Sequence, residues 1–201
     1  MGPLEIASKA ERPLRRAKVL QYVSTLCLTR AVSTAPYDAR KCTNLEQYSK
    51  VNNVEITGLP TTKEECVKDL LKDLAATFGV EVQDSDISAA HRVPSFRRDR
   101  DPALIVQFTN KTKKEEWISK YRTKRPALTA QQVNRRFPAQ RVYINDHLSP
   151  ENKQLLSQLK KKCREIGYTF AWCRDAKFFA RKDEGGPVKR ITSFEIIEKL
   201  K

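Results

Sequence analysis

The chain has 201 residues, with 39 Lys and Arg against 24 Asp and Glu, a net charge of +15 and a pI near 9.7. Roughly 100 residues suffice for one hydrophobic core, so the length accommodates two small domains, and the positive excess is far beyond what solubility requires. No apolar run approaches the span of a membrane helix, which argues against membrane insertion and leaves nucleic acid as the favoured polyanionic partner.

Residues 1–43 carry Arg12, Arg15, Arg16, Lys18, Arg30, Arg40 and Lys41 with few acids and no sustained period, and read as a disordered basic extension. Glu5, Glu11 and Pro13 spoil the amphipathic helix that a mitochondrial transit peptide needs. Residues 44–50, NLEQYSK, resemble the last turn of a helix leading into the first strand. They are too few for a coiled coil, which takes about three or four heptads.

Residues 51–148 follow the order β-α-β-β-α-β. VNNVEITGLP is the first strand, and Thr61-Thr62-Lys63-Glu64 reads as a capping box in front of a helix. Val67, Leu70, Leu71, Leu74, Ala75 and Phe78 recur at helical spacing, and Gly79 stands where a left-handed C-terminal cap is wanted. ISAAHRVP is the second strand, PSFRRDRDP a polar loop, and Ala103 to Phe108 an inner strand. A helix from Lys111 to about Lys124 follows. Arg125 to Gln140 reads as a basic linker, and RVYINDHL, Arg141 to Leu148, as the fourth strand. This is the ferredoxin-like, RNA-recognition-motif-like arrangement, in which a four-stranded antiparallel sheet carries both helices on one face.

Residues 149–201 form a small αβββα unit. Ser149-Pro150-Glu151 opens its helix with a serine cap, proline at the first position and an acid at the positive dipole end. Leu155, Leu156, Leu159, Cys163 and Ile166 make the inner face, with Lys160, Lys161, Lys162 and Arg164 mostly outside. YTFAWC and KFFAR form a hairpin, VKRI a third strand, and a capped helix starts at Ser193. The fold class is α+β, two small domains in tandem.

The chemistry is that of binding rather than catalysis. An RNA-recognition motif stacks bases on aromatics of its central strands, but here Glu55, Ala103 and Ile105 fall at those positions, so the sheet centre is expected to be covered or unused. The remaining charge gathers in three places: Arg97, Arg98 and Arg100 in the loop before the third strand, Arg135, Arg136 and Arg141 beside Phe137, and the C-terminal hairpin. A two-residue Asp175-Ala176 turn pairs Trp172 with Phe179 and Phe170 with Arg181. It places Phe170, Trp172, Phe179, Arg174, Lys177 and Arg181 on one side, where rings suit bases and cations suit phosphates. The competing reading is that Trp172 and Phe170 are core. Five widely spaced cysteines and two distant histidines give neither a disulfide framework nor a zinc pattern, so the reading is a reduced intracellular protein without a metal. No nucleophile elbow, phosphate-cradling glycine loop or triad is present, and the acids of polar turns read as solvated.

At NNVEITGLP, DISAAHRVPS, ALIVQF and YINDHLSPENKQLL the sequence resembles the baculovirus few-polyhedra (FP) protein family and its transposon-associated arthropod relatives, over about Leu45 to Leu200. The order of its parts is similar to the first open-reading-frame protein of LINE-type retrotransposons. That resemblance implies single-stranded nucleic-acid binding, strand-annealing chaperone activity, self-association through a trimeric coiled coil, basic residues of both domains gripping the backbone, and an arginine pair comparable to those in the loop of Arg97, Arg98 and Arg100. The coiled coil is missing ahead of Leu45, where residues 1–43 read otherwise. The expectation is therefore a non-enzymatic protein of nucleus or cytoplasm that binds single-stranded RNA or DNA through its backbone with weak sequence specificity, and uses no cofactor or small-molecule substrate. The alternatives are a protein-interaction adaptor in nuclear or viral assembly, or a transposon remnant without retained activity.

Overall fold

A computed structural model describes residues 41–94, 100–125 and 128–201. Most of the expected basic extension, and Arg97 and Arg98, lie outside the described residues. Residues 41–49 are helical, so helix begins within the segment read as an extension.

Glu46–Lys201 is one compact unit built on two antiparallel sheets, an α+β architecture. The first sheet has the order β2-β3-β1-β4, where β1 is Asn53–Thr57, β2 Ile87–Val93, β3 Ala103–Phe108 and β4 Tyr143–Asp146. Alternation decides its faces: Val54, Ile56, Leu104, Val106 and Phe108 point to one side, where Leu70, Leu71 and Leu74 of α1 (Val67–Thr77) and Trp117 and Tyr121 of α2 (Lys111–Lys124) cover them. Trp117 is the centre of this core, fully buried, with its ring edge-on to Phe78 and Phe108 at 5.3 and 5.1 Å. Asn110 caps α2 by accepting from the Lys113 amide.

The second sheet, β5-β6-β7, comprises Phe170–Arg174, Lys177–Arg181 and Lys189–Ile191. Its own buried cluster joins Leu155, Leu159 and Cys163 of α4 (Pro150–Glu165) to Phe178, Ala180 and Ile191. The short closing helix α5, Phe194–Glu198, adds Ile197, and Ser193 precedes it without a side-chain cap bond. At the head of α4 the Ser149 hydroxyl does cap, accepting from the Asn152 amide.

Two further expectations need correction. The Thr61–Glu64 capping box does not form, and α1 starts only at Val67, with Cys66 before it making no side-chain cap bond. Arg92 accounts for the difference: its guanidinium is bidentate to Glu65 at 2.6 and 2.9 Å and also donates to the carbonyls of Leu59, Pro60 and Pro102. An arginine with its whole fork occupied holds residues 59–65 as a fixed loop instead of a first helical turn.

The second correction concerns Arg125 to Gln140, which is no free linker. Leu128, Ala130 and Phe137 are buried in the first core, and the segment carries a short helix, α3, Ala130–Val133. Thr129 bridges to Arg141, the Ala130 amide donates to the Gln140 carbonyl at 2.9 Å, and Gln140 Nε2 donates to the Gly58 carbonyl at 3.0 Å. Gly58, at φ +87°, permits this approach, since a Cβ there would lie 2.1 Å from the Arg141 carbonyl oxygen. The fourth strand is correspondingly shorter than Arg141 to Leu148.

Side chains fasten the two sheets together. Gln47 Oε1 accepts from the Ser149 amide and from Asn152 Nδ2, while its Nε2 donates to the His147 carbonyl. Asp146, buried at the end of β4, pairs with the buried ammonium of Lys114 at 2.5 Å and accepts the Asp175 amide of the hairpin turn at 3.1 Å.

Candidate nucleic-acid interface

The C-terminal hairpin has the register expected from its turn. Asp175 and Ala176 both sit at positive φ, 51° and 54°, as a two-residue turn with the twist of paired strands requires. Phe170 pairs with Arg181, Trp172 with Phe179, and Arg174 with Lys177. Phe178 and Ala180 are buried against α4, with Ala171 and Cys173 packed beside them. On the other side the Trp172 and Phe179 rings stack at 5.6 Å between centroids and 24° between planes. The Arg181 guanidinium lies over the Phe170 ring at 4.6 Å. These three aromatics are half-buried and belong to neither core cluster, and Arg174 and Lys177 are exposed at the turn. Burial pushes the Cys173 thiol up to about 12, so it remains protonated and poorly nucleophilic.

Trp172 lines a cleft of about 340 Å³ along the outer edge of β4. Arg122 and Arg125 from the end of α2 and Lys153 and Lys160 from α4 supply its cations, with Glu55 and Asp146 as its acids. A second recess of similar size at the hairpin turn brings Arg174 beside Arg122.

The sheet face away from the helices is a broader trough of about 700 Å³, in which Arg100, Arg141 and Lys153 approach a floor containing Ala103 and Ile105. Ile105 is only 3% exposed, and its cross-strand neighbours are Glu55 and His91. Glu55 pairs with Lys153 at 2.8 Å, so the centre of this face offers no ring for a base. Tyr143, at 40% exposure, is the large aromatic lining this trough. His147, half-buried at one side, has its pKa held below the ordinary 6.5 by burial, which outweighs the opposing pull of Glu55.

The expected site residues therefore divide. Trp172 and Arg174 line clefts shared with α2, Arg100 and Arg141 line the sheet trough, and Lys177 and Arg181 stay with the hairpin. Arg135 and Arg136 are exposed on the packed loop after α3, outside the linings of these clefts. Arg122, Arg125, Lys153 and Lys160 are additions to the expected set, and Lys160, exposed as its place on the outer side of its helix implies, lines the cleft from there. Spacing carried a signal for them: Lys153 and Lys160 are seven apart and Arg122 and Arg125 three apart, so each pair shares a helix face. Among the described residues no cluster of three or more His, Cys, Asp or Glu could hold a metal, and no helix is long and apolar enough to cross a membrane.

Comparison with protein families matches residues 51–144 to baculovirus FP protein domain 1 and residues 149–201 to baculovirus FP protein domain 2. Comparison with curated proteins gives no match.

Proposed function

The chain belongs to the baculovirus FP protein family, and from that premise we propose that it binds single-stranded RNA or DNA through the backbone, without catalysis and with weak sequence preference. The strand order β2-β3-β1-β4, with α1 and α2 on one face, supports reading residues 51–148 as an RNA-recognition-motif-like domain, and the separate cluster over residues 149–201 supports a second domain. In this reading no base stacks on the usual sheet-face platform, because Glu55 and Ile105 stand where rings would, and the sheet trough meets the strand through its phosphates alone. The carrying observation is the side of the hairpin turned away from α4: half-exposed, stacked aromatics between Arg174, Lys177 and Arg181, with Trp172 facing a cleft edged by Arg122, Arg125 and Lys160. Rings of this kind accept any base, and the cations follow the phosphates.

The test is a titration of the purified protein with unrelated single-stranded oligonucleotides at two salt concentrations. Binding that weakens with salt and loses about 1–3 kcal/mol in Trp172→Ala, with melting near that of the parent protein, supports the reading. Salt-independent binding, or no binding at low salt, refutes it and favours an adaptor that meets other proteins.

A further inference from the structure

The sheet trough and the cleft beside Trp172 are distinct depressions, yet both are lined by Glu55, Thr57 and Lys153. The Lys153 ammonium therefore stands where the two meet. It is also the basic residue best placed to serve a strand passing from Arg100 and Arg141 on the sheet toward Trp172 on the hairpin. Its charge is engaged, with Nζ 2.8–2.9 Å from both carboxylate oxygens of Glu55. The pair is unequally exposed, the Lys153 side chain at 48% and that of Glu55 at 19%. An ion pair with one partner so open adds little stability, so the Lys153 ammonium stays accessible to a competing phosphate.

We propose that Glu55 is a built-in competitor of the nucleic-acid strand: it occupies Lys153 in the free protein and must yield that ammonium to a phosphate before one strand can run continuously from the sheet trough into the Trp172 cleft. This rests on the functional reading above and adds to it a residue that limits affinity. The charge argument is direct. Glu55 is cross-strand neighbour to Ile105 on one side and Asn145 on the other, so it lies near the middle of the face. A carboxylate there opposes phosphate wherever the strand crosses, and among the described residues Lys153 is the cation paired with it. Removing the carboxylate's charge while keeping its shape therefore releases one cation without disturbing the packing around Ile105.

The experiment compares binding of a single-stranded oligonucleotide, long enough to cover both depressions, to the parent protein, Glu55→Gln, Lys153→Gln and the double variant, with melting curves to confirm folding. Glu55→Gln is expected to bind about threefold to tenfold more tightly and to steepen the slope of log K against log salt by about 0.7, one added phosphate contact on a single strand. Lys153→Gln, which strands the carboxylate, binds more weakly than the parent. In the double variant the gain from Glu55→Gln disappears, because no ammonium remains to be released. Unchanged affinity in Glu55→Gln while the parent binds overturns the competition and leaves the functional reading standing. A gain that persists in the double variant also overturns it, by showing that Glu55 merely repels phosphate at a distance. Absence of binding by the parent protein at low salt removes the functional reading and this inference together. If Glu55→Gln does not fold, Lys153→Gln decides the matter by itself: affinity equal to the parent overturns the proposal.

Discussion

Replacing Asp146 by alanine tests how the two sheets are held in register with each other. Asp146 and Lys114 are 9% and 2% exposed, and their charged atoms are 2.5 Å apart. Alanine leaves the Lys114 ammonium in the interior, donating to the Val51 carbonyl 3.0 Å away, and takes from the Asp175 amide the acceptor that holds the hairpin turn. Breaking one side of a buried pair costs about 3–5 kcal/mol, because the surviving charge stays desolvated. For a folded unit of this size each kcal/mol moves the melting temperature by roughly 2–4 °C, which gives a drop of about 6–20 °C. The double change Lys114→Met with Asp146→Leu removes both charges at similar volume and should recover most of that loss. Chemical and thermal denaturation of the parent, Lys114→Met, Asp146→Leu and the double variant form a complete cycle. An Asp146→Ala protein within about 1 kcal/mol of the parent would falsify the argument, since it would mean the pair is solvated and the hairpin turn is positioned by other contacts.

The two tryptophans give a paired prediction. Trp117→Ala empties the centre of the first core and should cost about 3–5 kcal/mol of stability, whereas Trp172→Ala, outside both clusters, should melt near the parent protein; calorimetry of the two variants checks the contrast. A second expectation concerns acid. Burial lowers the His147 pKa below 6.5, so the folded state disfavours the charged ring, the unfolded chain binds more protons as pH falls, and this contribution to stability, full above about 6.5, is lost as pH drops from there through the lower folded value. Urea midpoints at pH 7.5 and 5.5 should therefore converge in His147→Gln relative to the parent, and an unchanged difference between the two pH values rejects the assignment.

Local physics made much of the architecture legible in advance. Helical spacing located α1, the second helix runs from Lys111 to Lys124 as expected, and the Ser149-Pro150-Glu151 signal marked the head of α4. The two-residue Asp175-Ala176 turn was sufficient to set the hairpin register and hence which rings share a side with Arg181, because strand alternation leaves no freedom once the turn is fixed. Tertiary contacts decided the rest. Whether Thr61–Glu64 would cap a helix depended on Arg92, 27 residues beyond Glu65, occupying that loop with its own donors. Leu128 and Phe137 turned a basic, proline-containing stretch into part of the core because burying their side chains outweighs the polar character of their neighbours. The assembly of Arg122, Arg125, Lys153 and Lys160 around Trp172 was beyond spacing alone, which pairs residues on one helix face but does not bring α2 and α4 to the same cleft. Periodicity reports which side of an element is apolar; only the packing of elements determines which charged sides come to face one another.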